Sequence, residues 1–124
     1  MTEVPGLPAT GPATLATVKA ELGYPAGADP VRDPRIQMRV DAVNSWVRQL
    51  PVASEALTYG APPPAWPPHV TLGATMLTTR LWRRKDSPSG VEAFTDAGAV
   101  YVSRNDPDVA QLLSIGSYTA PVVG

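Results

Sequence analysis

The sequence contains no cysteine and only one histidine, His69. Without cysteine the chain can form neither disulfide bonds nor cysteine-ligated zinc sites, and one histidine cannot build a histidine-cluster metal site. No glycine-rich phosphate loop or nucleophile elbow is present, and a surface or capping role explains His69 better than catalysis. The sequence therefore predicts a protein that is not an enzyme and that binds no cofactor or metal ion.

Charged residues are also scarce, at 17% of the 124 residues, and the formal net charge is −1. Bulk charge therefore predicts no non-specific binding of nucleic acid. The hydrophobic content of 44% favours one folded domain over a disordered chain. Because no apolar run is long enough to span a bilayer and no signal-peptide pattern opens the chain, we expect a soluble, intracellular protein.

The 15 prolines are unevenly distributed and divide the chain. Residues 1–11 lack periodicity and are predicted to form a flexible N-terminal arm, and residues 119–124 an apolar C-terminal tail. Between them, residues 12–118 form the predicted helical domain. Residues 51–68 include the run GAPPPAWPP, which excludes a continuous helix or central strand and predicts either a stiff linker or a functional loop.

Apolar residues recur at helical spacing in three segments: Leu15, Val18 and Leu22; Ile36, Val40, Val43, Val47 and Leu50; and Val70, Ala74, Leu77 and Leu81. Gly23 is expected to end the first helix, and Asp33 to cap a second helix over residues 34–50. The third segment, over about residues 68–84, is apolar on more than one face. It is therefore expected at the centre of the domain or covered by another subunit. Gly73 within it predicts close packing of a neighbouring element.

Two short β-prone stretches, VEAF and AVYV, flank TDAG and predict a β-hairpin over residues 91–102. Asp106 and Pro107 then predict the start of a last helix, with Asp106 as its cap, and Asp106 and Asp108 complement the helix dipole. The predicted fold is mainly α: a small bundle of about four helices with a short β-hairpin before the last helix and extended N- and C-terminal arms.

Four basic residues, Arg80, Arg83, Arg84 and Lys85, lie within six positions around Trp82. The spacing of the three arginines places them on one helical face, and Trp82 offers a stacking surface. Cations at a helix C-terminus each offset the dipole by about 0.3–1 kcal/mol, which explains one or two of these charges. A solvated helix end, a contact with another subunit or partner, and a contact with DNA therefore remain as alternatives.

The order of these elements is similar to that of a known family over about residues 15–118. The matching features are VKAELG at 18–23, the amphipathic helix at 34–50, a proline-initiated central helix ending in LTTRLWRR, and a final segment with Asp106, Pro107, Leu112, Leu113, Gly116 and Tyr118. This arrangement resembles the head-to-tail connector (adaptor) proteins of long-tailed bacteriophages. The proline-rich composition of residues 51–68 and the predicted 91–102 hairpin depart from the family pattern.

The resemblance implies a ring of identical subunits, commonly twelve, in the neck of a virion assembled in the bacterial host cytoplasm. Its partners would be the portal protein and a neck stopper or tail terminator, with genomic DNA passing through without sequence-specific binding. The predicted interface residues are Arg80, Trp82, Arg83, Arg84, Lys85, Tyr118, Val122 and Val123.

The main alternative is a small helical DNA-binding regulator. It is disfavoured because the connection between the second and third predicted helices is too long and proline-rich for a helix-turn-helix. A small enzyme accessory or toxin is supported by nothing beyond the size of the chain.

Overall fold

A computed structural model describes residues 5–59, 63–85 and 91–115 of the chain. Within these ranges the helices are α1 (Leu15–Leu22), α2 (Arg32–Val47), a 3₁₀ helix (Pro51–Leu57), α3 (Pro68–Arg83), α4 (Val91–Asn105) and α5 (Pro107–Leu112). The protein is mainly helical, as the sequence predicts.

Helix α3 lies at the centre of the fold and packs against α1, α2 and α5. Its apolar stripe is buried with residues of α2, α4 and α5 in the main core, which includes Val43, Val47, Val70, Ala74, Leu77, Leu81, Val102, Val109 and Leu113. A second, smaller core joins α1, the first half of α2 and the end of α3 through Val18, Ile36, Val40 and Trp82. The predicted central position of this helix is confirmed.

Gly73 lets α3 lie close to the C-terminal end of α5. A Cβ atom at Gly73 would lie 2.9 Å from Cδ2 of Leu113 and 3.2 Å from Cβ of Leu112. Contacts this short are rare for real Cβ atoms, so a side chain at this position would push the helices apart. The predicted packing role of this glycine is confirmed.

The sequence predicts the end of the first helix correctly but not the start of the second. Gly23 ends α1 in the left-handed conformation with a φ of 79°, as expected. The predicted cap of α2 is wrong, because α2 begins at Arg32, one residue before Asp33. The carboxylate of Asp29 instead accepts from the backbone N–H groups of Val31 and Arg32, at 3.0 and 2.8 Å.

The Asp33 side chain is free of the capping role and links α1 to α2. Its Oδ2 accepts from Nζ of the buried Lys19 at 2.9 Å, and Nζ also donates to the carbonyl of Gly27 at 2.9 Å. These two acceptors compensate the buried positive charge of Lys19. Hydrogen bonds from the Asp29 backbone N–H and from Lys19 hold the pKa of Asp33 below its usual value.

The predicted β-hairpin at residues 91–102 is wrong, because this segment is part of helix α4. The neighbouring residues Tyr101 and Val102 are both buried, whereas Ala99 and Val100 are both exposed. That pattern fits a helix and not the strict alternation of a half-buried strand. Gly98 lets α4 approach α2, since a Cβ there would lie 2.7 Å from Nε1 of Trp46. Tertiary packing therefore overrides local β propensity.

The described parts of the proline-rich segment and of the predicted N-terminal arm contact the helical body. The 3₁₀ helix occupies the first seven residues of the 51–68 segment, before the proline run. Trp66 Nε1 donates to the carbonyl of Thr10 at 2.8 Å, and Arg48 Nη1 donates to that of Pro8 at 2.8 Å. The predicted C-terminal tail, with Tyr118, Val122 and Val123, lies outside the described residues.

Candidate interface at the end of the central helix

Two arginines of the predicted basic cluster bind a buried carboxylate at the start of α5. Asp106, whose side chain is 1% exposed, accepts from Arg84 Nη1 at 2.9 Å, Arg84 Nη2 at 2.8 Å and Arg80 Nη1 at 3.0 Å. Arg84 Nη1 also donates to the hydroxyl of Tyr101 on α4 at 2.9 Å. The end of α3 is therefore tied to both α4 and α5 by charge-assisted hydrogen bonds.

The chain places these groups by simple local rules. Arg80 and Arg84 are four residues apart, so they project from the same side of the end of α3 towards α5. Pro107 begins α5 without needing an acceptor for a backbone N–H. Asp106 stands at the N-cap position, but its side chain makes no capping hydrogen bond. The predicted role of Asp106 as a helix cap is therefore corrected: its carboxylate is bound to the arginines.

Asp108 extends the network towards solvent. Its carboxylate accepts from both Nη1 and Nη2 of Arg80, at 2.6 Å for Nη1, and its side chain is 52% exposed. The hydrogen bonds from Arg80 lower the pKa of Asp108 from 3.8 to about 2. The same interactions raise the pKa of Arg80, and the hydrogen bonds with Asp106 raise that of Arg84.

The depressed pKa of Asp108 predicts an acid-dependent part of the stability. Its stabilisation is complete above the unfolded pKa near 3.8 and is lost as the pH falls through about 2. We therefore expect Asp108→Asn to make the fall in melting temperature between these pH values shallower than in the wild type. Circular dichroism melts over a pH series measure this. Asp41→Asn, which removes an exposed α2 carboxylate bound to neutral Gln37, is the control. An unchanged acid slope in Asp108→Asn would contradict the assignment.

Trp82 is a core residue. Its side chain is 5% exposed and packs in the smaller core against Val18, Ile36 and Val40. Its Nε1 donates to the hydroxyl of Tyr24 at 3.1 Å. The prediction that Trp82 offers a stacking surface is therefore wrong. The Trp82 side chain instead packs α1 and α2 against the end of α3.

The other two cations of the cluster face outward. Arg83 is exposed, and Nζ of Lys85 lies 4.5 Å from the centre of the Trp82 ring. Neither has a carboxylate oxygen within 4.0 Å among the side chains of residues 5–59, 63–85 and 98–115. The predicted cluster thus divides into an internal pair, Arg80 and Arg84, and an outward pair, Arg83 and Lys85. The three arginines do not share one role, although their spacing suggested it.

One stripe of α3 reaches the surface between α1 and α5. It contains Leu72, which is 48% exposed, the partly buried Met76, and Arg83. Near its C-terminal end a groove of about 90 Å³ is lined by Glu21, Met76, Thr79, Arg80 and Arg83. An exposed leucine followed along the helix by a cation is a combination that suits contact with another protein.

A second exposed apolar pair lies on α2, where sequence analysis proposed no site. Val31, the residue before the helix, is 73% exposed, and Met38 is 64% exposed. They are seven residues apart and therefore lie on one face, with Arg35 between them. The sequence signal was available, because both residues fall off the buried stripe of α2.

The described part of the chain offers neither a metal-binding cluster nor a membrane-spanning helix. No group of three or more histidine, cysteine, aspartate or glutamate side chains there could hold a metal ion. No helix there is long and apolar enough to cross a membrane.

Comparison of the chain with protein-family models, with curated proteins and with solved structures finds no match in any of the three.

Proposed function

We propose that this chain is a structural subunit of a tailed-phage neck, a head-to-tail adaptor that forms a ring between the portal and the next neck protein. DNA would pass through the ring without sequence-specific contacts. The observation that carries the proposal is the exposed stripe of α3, with Leu72, Met76 and Arg83. Three other helices cover the rest of this central helix, so a further protein surface is the natural cover for the stripe.

The order of the helices also supports the proposal. The short α1 is followed by the longer α2, by the proline-initiated α3 and by α5, which starts after Asp106 and ends near Leu113. These four helices correspond to the elements on which the family resemblance rests. Helix α4 is an addition to that pattern, because it occupies the segment expected to form a hairpin.

The DNA-binding alternative has weaker support. Arg80 and Arg84, which would have been its strongest phosphate contacts, are paired with Asp106 and Asp108. Binding to phosphate would require breaking those pairs, which the buried carboxylate makes costly. The remaining outward charges are too few for the steep salt dependence of non-specific binding to duplex DNA.

The test is assembly of the purified chain with purified portal protein, followed by native mass spectrometry. We expect a ring-sized oligomer, alone or on the portal, and we expect Leu72→Glu to weaken assembly at least about tenfold, because it places a charge in an apolar contact. Arg83→Glu should act in the same direction. Arg84 is unsuitable for this test, since its loss would disturb the Asp106 network.

The matched control is Val100→Glu on α4, where a valine is 56% exposed. It should leave assembly within about twofold of the wild type, a difference well under 1 kcal/mol. A stable monomer that binds neither portal nor neck protein would overturn the proposal. If Val100→Glu weakened assembly as much as Leu72→Glu does, the α3 stripe would not be the interface.

A further inference from the structure

The N-terminal segment of residues 5–10 is bound to the helical body through its backbone carbonyls. Arg48 Nη1 donates to the carbonyl of Pro8, and Trp66 Nε1 donates to that of Thr10, both at 2.8 Å. Every residue has the same carbonyl group, so these bonds recognise an extended chain and not particular side chains. The same segment of another copy of the protein would therefore satisfy the two donors equally well.

The segment contributes no buried side chain to the fold. Four of its six residues are exposed, and the other two, Leu7 and Pro8, are partly buried. Burial begins at Pro12, and the next residue, Ala13, belongs to the main core. Lifting residues 5–10 from the body therefore breaks hydrogen bonds at the surface and leaves the main core closed.

The chain is fixed again just after this segment. Asn44 on α2 accepts from the N–H of Ala13 at 3.0 Å and donates to its carbonyl at 2.8 Å, and Thr14 then caps α1. Gly11 and Pro12 lie between this anchor and the segment, and the backbone freedom of glycine lets the chain change direction there. A segment that leaves its own body would cross to another copy at these two residues.

The crossing point is level with the exposed stripe of α3. Thr17 Oγ1 on α1 lies 3.2 Å from Thr75 Oγ1 on α3, and one turn further on Glu21 lines the same groove as Thr79. Helices α1 and α3 therefore run in the same direction, and the start of α1 is level with Leu72, one turn before Thr75. A second copy that covers the stripe would meet the crossing point.

We propose that two copies of the chain exchange residues 5–10, so that Arg48 and Trp66 of one copy bind the carbonyls of Pro8 and Thr10 of the other. Exchange of an identical segment is a low-cost way to link subunits, because each hydrogen bond that is broken within one copy is made again between two. The inference rests on the proposed function only for the place of the exchange in a ring. Exchange itself is a property of the purified chain and can be measured without portal protein.

Engineered cysteines test the exchange, because the chain has no cysteine of its own. Ala9 in the segment and Ser45 on α2 line one groove of about 300 Å³. Chains carrying Ala9→Cys and Ser45→Cys are mixed, treated with a short bismaleimide and analysed by mass spectrometry. A covalent pair with one chain of each kind forms efficiently when the segment of one copy occupies the groove of the other.

The matched control pairs Ala9→Cys with Ser103→Cys. Ser103 is exposed on α4, which packs through Gly98 on Trp46, two residues from Asn44 and therefore on the other side of α2. We expect the pair with Ser45→Cys to form at least about tenfold faster than this control, because docking raises the effective concentration of the two thiols.

A second variant acts on the segment itself. A Cβ atom at Gly11 would lie 2.8 Å from Cβ of Asn44, so Gly11→Ala should keep the segment out of the groove of either copy. We expect it to slow cross-linking of the Ala9→Cys chain to the Ser45→Cys chain by at least about fivefold. Circular dichroism melts confirm that each variant is folded.

A single chain with both Ala9→Cys and Ser45→Cys shows that the reagent spans the groove, and its mass distinguishes a link within one copy from a link between two. Links within this chain without mixed pairs, over the concentrations used for assembly, would overturn the proposal. Equal rates with Ser45→Cys and Ser103→Cys would overturn it as well.

The results also separate this proposal from the proposed function. A ring on the portal with links only within copies would support the connector and overturn the exchange. Mixed pairs from a chain that forms no ring and binds no portal would support the exchange and count against the connector.

Discussion

Replacing Asp106 by alanine should lower the free energy of unfolding by about 3 kcal/mol. Asp106 is the common acceptor for Arg80 and Arg84, and its carboxylate is 1% exposed. Without it, the guanidinium group of Arg84, whose side chain is 31% exposed, loses its carboxylate partner, and that of Arg80, whose side chain is 28% exposed, keeps only its bonds to Asp108. Their partial access to water keeps the expected cost at the lower end of the range for a broken buried ion pair.

Urea unfolding followed by circular dichroism measures this change. Asp108→Ala is the matched control, because it removes a carboxylate of the same helix that binds the same Arg80. Since Asp108 is half-exposed, we expect its loss to cost less than about 1 kcal/mol. If both variants lost the same free energy, burial of Asp106 would not be the source of the effect.

Much of the helical framework could be predicted because it depends on local sequence. The apolar spacing along α1, α2 and α3 follows the helix period. The left-handed conformation at Gly23 requires only a residue without a side chain. The packing role of Gly73 could be anticipated because glycine is costly inside a helix. Each of these signals lies within a few residues of the feature that it predicts.

The hairpin prediction failed because it used only local β propensity. Residues 91–102 contain valine, phenylalanine and tyrosine, which are common in strands. What decides the structure is contact with α2 and α5, including the close approach of Gly98 to Trp46. That contact joins positions far apart in the chain, so no short window contains it.

The sequence shows a basic cluster at the end of the central helix, but it does not show how the cluster divides. The sequence shows four cations near Trp82, but the carboxylates that bind two of them are 22 to 28 residues further along. Only the packing of α3 on α5 reveals that Arg80 and Arg84 are already paired. The approach of Arg35 on α2 to within 5.6 Å of the Trp82 ring centre was missed for the same reason.

Trp82→Ala should cost about 3–5 kcal/mol, the largest loss that we expect from one substitution. Trp82 fills the smaller core between Val18, Ile36 and Val40, and few atoms could move to fill the space that it leaves. Its loss would also break the hydrogen bond from its Nε1 to Tyr24.

Trp66→Ala is the control for this prediction. Trp66 is also an indole with one hydrogen bond and a guanidinium over its ring, but it is only partly buried. A clearly smaller loss of stability, measured by urea unfolding, is therefore expected for Trp66→Ala. Trp82→Phe should recover most of the stability, since it restores most of the buried ring and lacks only the hydrogen bond, worth about 1 kcal/mol. If instead Trp82→Ala unfolded at the same urea concentration as the wild type, the smaller core would not be holding α1 and α2 on α3.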